Sequence, residues 1–218
     1  MESGSPSGRL LYMGTQERRA REKEELRQQI IAVGRELFAT EGFDAVSVRK
    51  IAEKIEYSPT TIYLYFEDKA DLFDCVVEER MLEFHGNLQS PEFNGPDPYV
   101  NLRRGLRAYV EFWIAHPNDF RLSFLTDLRG FDPNREWRCL AVAQKIYDTL
   151  RVDLRRCREK GLLEFEDLEL TSQMVWSQVF GVMCLQIMKP RFPWVDRDRL
   201  IESVIDSALA HAAPVPAA

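Results

Sequence analysis

Ser47-Val-Arg-Lys-Ile-Ala-Glu-Lys-Ile-Glu-Tyr-Ser58-Pro59-Thr-Thr-Ile-Tyr-Leu-Tyr-Phe-Glu-Asp68-Lys-Ala-Asp71-Leu-Phe73 decides the reading of this chain. Ser47 is suited to cap a short helix whose apolar face is Val48, Ile51, Ala52 and Ile55. Glu56-Tyr57 makes a turn, and Ser58 caps a second helix with Pro59 at its first position, where a missing N–H costs nothing. That helix turns Ile62 and Phe66 inward and carries Thr60, Thr61, Tyr63 and Tyr65 where a solvated helix would carry Lys and Glu. Two short helices with a polar, phenol-bearing second member form a helix-turn-helix, the arrangement that offers its second helix to a major groove. Asp68, with Asp71 three residues on, is a cap for the helix that follows.

Outward from this stretch the pattern stays helical. Upstream, Leu26, Ile30, Val33 and Leu37 form one face of a helix over about 16–40, stopped at Glu41-Gly42. Residues 1–15 read as a disordered arm, and Ser90–Pro98 is a breaker-rich loop. Helices are expected near 99–115, 118–125, 135–160, 167–188 and 196–212, with a loop at 127–134 and a tail at 213–218. The fold class expected is all-α: a helix-turn-helix domain over 16–73 and a larger helical domain over 74–212.

The 218 residues carry a net charge of −6, and the first 80 hold 12 Lys and Arg against 16 Asp and Glu. A DNA reader is usually basic, so any cationic surface must be local. Cys75, Cys139, Cys157 and Cys184 follow no metal-ligand spacing and read as packed thiols. No Gly-rich phosphate loop or His-x-x-x-His occurs, and Glu164, Glu166 and Asp167 read as caps and solvated surface, so neither an enzyme, a metal nor a cofactor is expected. The longest apolar run, Val179–Met188, is too short to span a bilayer, which gives the expectation of a soluble cytoplasmic protein. The helix near 167–188 is apolar almost all round, a pattern that calls for burial on every side. A four-helix dimer interface is expected from Trp176, Val179, Val182, Met183 and Ile187 together with Ile201, Val204, Ile205 and Leu209.

The segment Val48-Arg-Lys-Ile-Ala52, Tyr57-Ser58, Ile62-Tyr-Leu-Tyr-Phe66 and Lys69-Ala-Asp-Leu72 resembles the DNA-binding domain of the TetR family of bacterial regulators, with Leu37-Phe38 and Glu41-Gly42-Phe43 extending the match upstream. The resemblance implies an Ω-shaped helical homodimer, a repressor released from a palindromic operator by a small-molecule effector. Carried over by position, Pro59, Thr60, Thr61 and Tyr63 would meet the groove, and Ser47, Ser58, Tyr65 and Lys69 would hold phosphates or cap. Glu56 and Thr60 stand where the family commonly has Gly. Trp176-Ser-Gln-Val-Phe180-Gly181 is similar to the Trp-x-x-x-His-Gly motif of one branch, with Phe180 replacing His. An effector pocket is expected among Phe84, Phe112, Trp113, Phe120, Phe124, Trp137, Tyr147, Met174 and Phe180. The alternative is a dimeric helical adaptor whose acidic helix-turn-helix has lost its grip on DNA.

Overall fold

The computed structural model describes residues 15–127, 132 and 134–210. Among these, nine α-helices and one short 3-10 turn occur: α1 Thr15–Glu41, α2 Val48–Lys54, α3 Pro59–Ile62, α4 Lys69–Leu88, a 3-10 turn Pro91–Phe93, α5 Pro98–Ala115, α6 Pro117–Leu125, α7 Arg138–Glu159, α8 Leu168–Met188 and α9 Arg197–Ala210. Of the arm expected over 1–15, residues 1–14 lie outside the described residues, as do part of the loop at 127–134 and the tail, while Thr15 opens α1.

The first three helices close on Ile30, Ile31, Val46, Ile51, Ala52, Ile55, Ile62 and Phe66, all buried. Ser47, Ser58 and Asp68 cap α2, α3 and α4 by accepting from the amides of Lys50, Thr61 and Asp71. Asp71 reaches back to the Glu67 amide at 2.9 Å, so its partner is one residue earlier than in a standard capping box. The α-helical bonding of α3 covers only four residues; Tyr63 to Phe66 continue it as tighter turns, with the Tyr65 and Phe66 amides both donating to the Ile62 carbonyl.

α2 ends in a Schellman turn: the Tyr57 amide donates to Ala52 O at 2.9 Å and the Glu56 amide to Glu53 O at 3.2 Å. Such a turn needs a left-handed residue, and Glu56 occupies it at φ 61°. α7 ends the same way with Gly161 at φ 67°, where the lack of a Cβ removes the strain.

α4 crosses the boundary drawn at residue 73. It packs on α1 on one side and on α7, α6 and α5 on the other, so it belongs to both domains. α8 packs against α9, α5 and α7, and this corrects the interface expected from sequence. Val179, Val182, Met183, Ile187, Ile201, Ile205 and Leu209 are buried within the chain's own core, and Val204 is half-buried. The apolar residues left outside on α8 are Leu170, Met174, Trp176, Leu185 and Met188. No helix of the described residues is long and apolar enough to cross a membrane.

Candidate DNA-reading surface and effector cavity

The short α3 brings its polar residues to the surface through local geometry. Pro59 and Thr60 are exposed, Tyr63 is 54% exposed, and Leu64 and Tyr57 stand out beside it. Thr61 is half-buried, its hydroxyl 2.9 Å from the Ser58 hydroxyl that caps the helix. Tyr65 is half-buried against the core, with Lys23 of α1 5.9 Å from its ring centre. Lys69 donates to the Phe43 carbonyl at 2.8 Å and lies over the Phe43 ring. An ammonium has three donors, so this leaves two for a phosphate. Ser47 accepts from Lys50 N at 3.2 Å and keeps its own hydroxyl hydrogen to donate.

The cations around the reading unit are met by acids. Arg49 bonds Glu53 at 2.9 Å, Lys54 bonds Glu36 at 2.6 Å, and Lys50 bonds Glu41. The acidic balance of this domain is thereby local as well as global.

A cavity of about 830 Å³ opens between α4, α5, α7 and α8. Phe84, Trp113, Phe124 and Tyr147 of the expected pocket line it. The rest do not. Phe112, Phe120 and Phe180 form an aromatic cluster behind Trp113, with Phe120 and Phe180 5.8 Å apart and Phe112 5.3 Å from Trp113. Met174 is exposed on the outer face of α8. Trp137 packs edge-on against Phe73 near the start of α4 and does not line the cavity. The missed lining includes Met81, Leu88, Leu102, Leu106, Tyr109, Ile146, Leu150, Asn101 and Asp153. Trp176, expected between protomers, also lines it and donates to Tyr109 Oη at 3.2 Å. Burial pushes the Tyr109 phenol well above its usual range, and burial with the Glu169 bond pushes Tyr147 up to about 12.

The cavity and the reading unit share a joint that the sequence reading did not find. Asp74, buried on α4, caps α7: its carboxylate accepts from the amides of Arg138 at 2.9 Å and Cys139 at 3.0 Å. The Arg138 side chain donates to Asp74 at 3.1 Å and to Asp71 at 2.6 Å. Arg135 grips Asp68, the α4 cap, through two bonds of 2.9 and 3.1 Å. Burial alone would raise the Asp74 carboxyl, but the two amides together with the Cys139 and Arg138 side chains outweigh it and hold it below the ordinary range. A second joint lies at Asp119 of α6, 3.4 Å from Arg35 of α1 and 3.2 Å from Arg80 of α4.

Comparison with known proteins agrees with this architecture. Residues 30–76 match the family described as bacterial regulatory proteins, tetR family, and residues 102–208 match the tetracyclin repressor-like C-terminal domain. The HTH-type transcriptional repressor NicS of Pseudomonas putida is 23% identical over 154 residues, covering 70% of this chain and 72% of that protein. Among solved structures, the regulator FadR from Bacillus subtilis in complex with stearoyl-CoA superposes with a TM-score of 0.71 at 22% identity, over 84% of this chain and 97% of that one. A protein from Rhodococcus sp. RHA1 reaches a TM-score of 0.74 at 16% identity, over 95% of this chain and all of that one. Helix-turn-helix, shared α4 and larger helical domain together define a one-component regulator. The chain belongs to the TetR family and is a DNA-binding transcriptional regulator.

Proposed function

We propose that this protein is a cytoplasmic, homodimeric repressor that reads a palindromic operator with α3 of each protomer and releases it when a small effector fills the cavity. Pro59, Thr60, Thr61 and Tyr63 are its groove-facing residues, with Ser47, Tyr65 and Lys69 on phosphates. Ser58 orders the helix and positions Thr61. Exposed Leu170, Met174, Leu185 and Met188 recur at helical spacing along α8 and form the self-complementary stripe of a two-fold contact.

The observation that carries the reading is the Asp74 cap. α7 is one wall of the cavity, and its N-terminus is bound to the first turns of α4, the helix that follows the reading helix in the chain. A ligand that displaces α7 therefore biases the position of α3 through Asp74, Arg138 and Arg135. The effector is elongated and mostly apolar: Asn101, Leu102, Gly105, Leu106, Tyr109 and Trp113 of α5 border the space at helical spacing, a span of about 18 Å at 1.5 Å per residue.

Filling the cavity from within tests this. A Cβ built on Gly105 meets only Leu88 Cδ2, at 4.0 Å, so Gly105→Trp has space to enter. Operator-bound Gly105→Trp should no longer be displaced by ligands that displace the parent. Displacement at parental concentrations would show that effectors act elsewhere.

A further inference from the structure

Asp153 is the carboxylate in the cavity wall that folding leaves without a hydrogen bond. It lines the cavity from α7, with its side chain 14% exposed. The other lining carboxylates are engaged: Asp148 accepts from Gln144 at 3.2 Å and Arg151 at 3.0 Å, and Glu169 accepts from Tyr147 and Gln173, both at 2.9 Å. Asp153 has Arg156 as its nearest cation, 3.7 Å away and beyond hydrogen-bond reach, with that side chain 55% exposed. Burial pushes the Asp153 carboxyl up to about 6 even against the attraction of Arg156, so it is largely ionised at neutral pH while poorly solvated.

The surroundings decide what can join it. α4 and α5 line the same space with uncharged side chains, among them Phe84, Leu88, Asn101, Leu106 and Tyr109. The lining cations, Lys145 and Arg156, are both exposed on α7. An anionic head placed beside Asp153 would meet its carboxylate with no cation from α4 or α5 to offset it. An ammonium supplies the missing charge and several N–H donors, and a charge-assisted bond in a poorly solvated site is among the stronger ones.

Resting on the reading of this cavity as the regulatory site, we infer that the effector is a lipophilic amine, its protonated nitrogen hydrogen-bonded to Asp153 and its apolar body lying along α5 toward Trp113. The selectivity belongs to the carboxylate: the apolar wall accepts any long body, and Asp153 sorts the head groups.

Three probes with one body separate head from tail: dodecylamine, dodecanol and dodecanoate, each below its micelle concentration, titrated at neutral pH against the full chain. Binding is read from the fluorescence of Trp113 and Trp176 in the cavity wall. Dodecylamine should bind at least tenfold more tightly than either of the others, and Asp153→Asn, near-isosteric, should erase that advantage while dodecanol binding is kept. Equal binding of amine and alcohol, tighter binding of dodecanoate, or an amine preference that survives Asp153→Asn overturns the assignment. Operator release, followed in the same titration, judges the regulatory reading separately. Asp153-dependent amine binding without release upholds the ligand site and contradicts that reading, whereas release by all three probes alike contradicts only the amine.

Discussion

At the scale of single residues, Glu56 is where local preference and fold conflict. The Schellman turn after α2 fixes a left-handed residue there, and a side chain with a Cβ is strained in it. Glu56→Gly should raise stability by about 1 kcal/mol, read as a melting temperature higher by about 2–4 °C; an unchanged melting temperature would mean that Glu56 gains compensating interactions. Tyr63 makes the opposite case, because it is exposed and unneeded by the core. Tyr63→Ala should lower operator affinity by about 1–3 kcal/mol, the range of a base-edge contact, with thermal unfolding unaltered. Asp153 carries a pH signature. Its folded carboxyl is raised to about 6 from an ordinary 3.8, so the folded chain holds an extra proton between those values and loses stability as pH climbs through them. Asp153→Asn should melt above the parent at neutral pH and converge with it near pH 4. A constant difference across that range would contradict the buried-charge account.

At the scale of helices, the joint between α4 and α7 is the feature on which the proposed control turns. Arg138→Ala leaves Asp74 its two amide donors and removes the tie to Asp71, so the fold should survive while the coupling weakens. Coupling losses of this kind run to about 0.5–2 kcal/mol. The effector concentration that releases DNA should then rise by roughly 2- to 30-fold, with effector affinity in the absence of DNA unchanged. Acid acts on the same joint. The Asp74 and Asp68 carboxyls are depressed, so their contribution is complete above the unfolded value and is lost only as pH falls through the lower, folded values.

Much of this level was legible in sequence, for identifiable reasons. Caps and breakers are local chemistry, so Ser47, Ser58, Asp68 and Gly42 placed helix ends within a few residues. The cover of each apolar face is not local. Periodicity marked α8 as apolar all round but could not say that Val179 and Met183 are buried while Leu185 and Met188 stay outside. Likewise, Phe120 and Trp113 look alike in sequence, yet one sits in the aromatic cluster behind the other. Signals did exist for the missed residues: Asp74 interrupts Leu72-Phe73 and Cys75-Val76-Val77, and Asp153 falls between Val152 and Leu154. A carboxylate inside an apolar run is worth asking about, since it must find partners or a ligand.

For the whole molecule, reading two half-sites requires two copies held at fixed spacing. Leu185, 51% exposed on the outer face of α8, lies mid-stripe and outside the chain's own core. Leu185→Glu should therefore yield a folded monomer by sedimentation, with operator affinity lowered by at least tenfold; a persistent dimer would move the interface elsewhere. The cations paired with Glu53, Glu41 and Glu36 also make an expectation for the salt dependence. Few of them are free to release counterions, so log affinity should fall more gently with log salt than for a basic reader of equal size.

The claim beneath all of these is that α3 reads DNA. Selection of duplexes from a random library by the purified protein, repeated with Tyr63→Ala, tests it most directly. The account predicts enrichment of an inverted repeat by the parent and its loss or degeneration with the variant. No enriched sequence, or the same repeat enriched equally by both proteins, would contradict it.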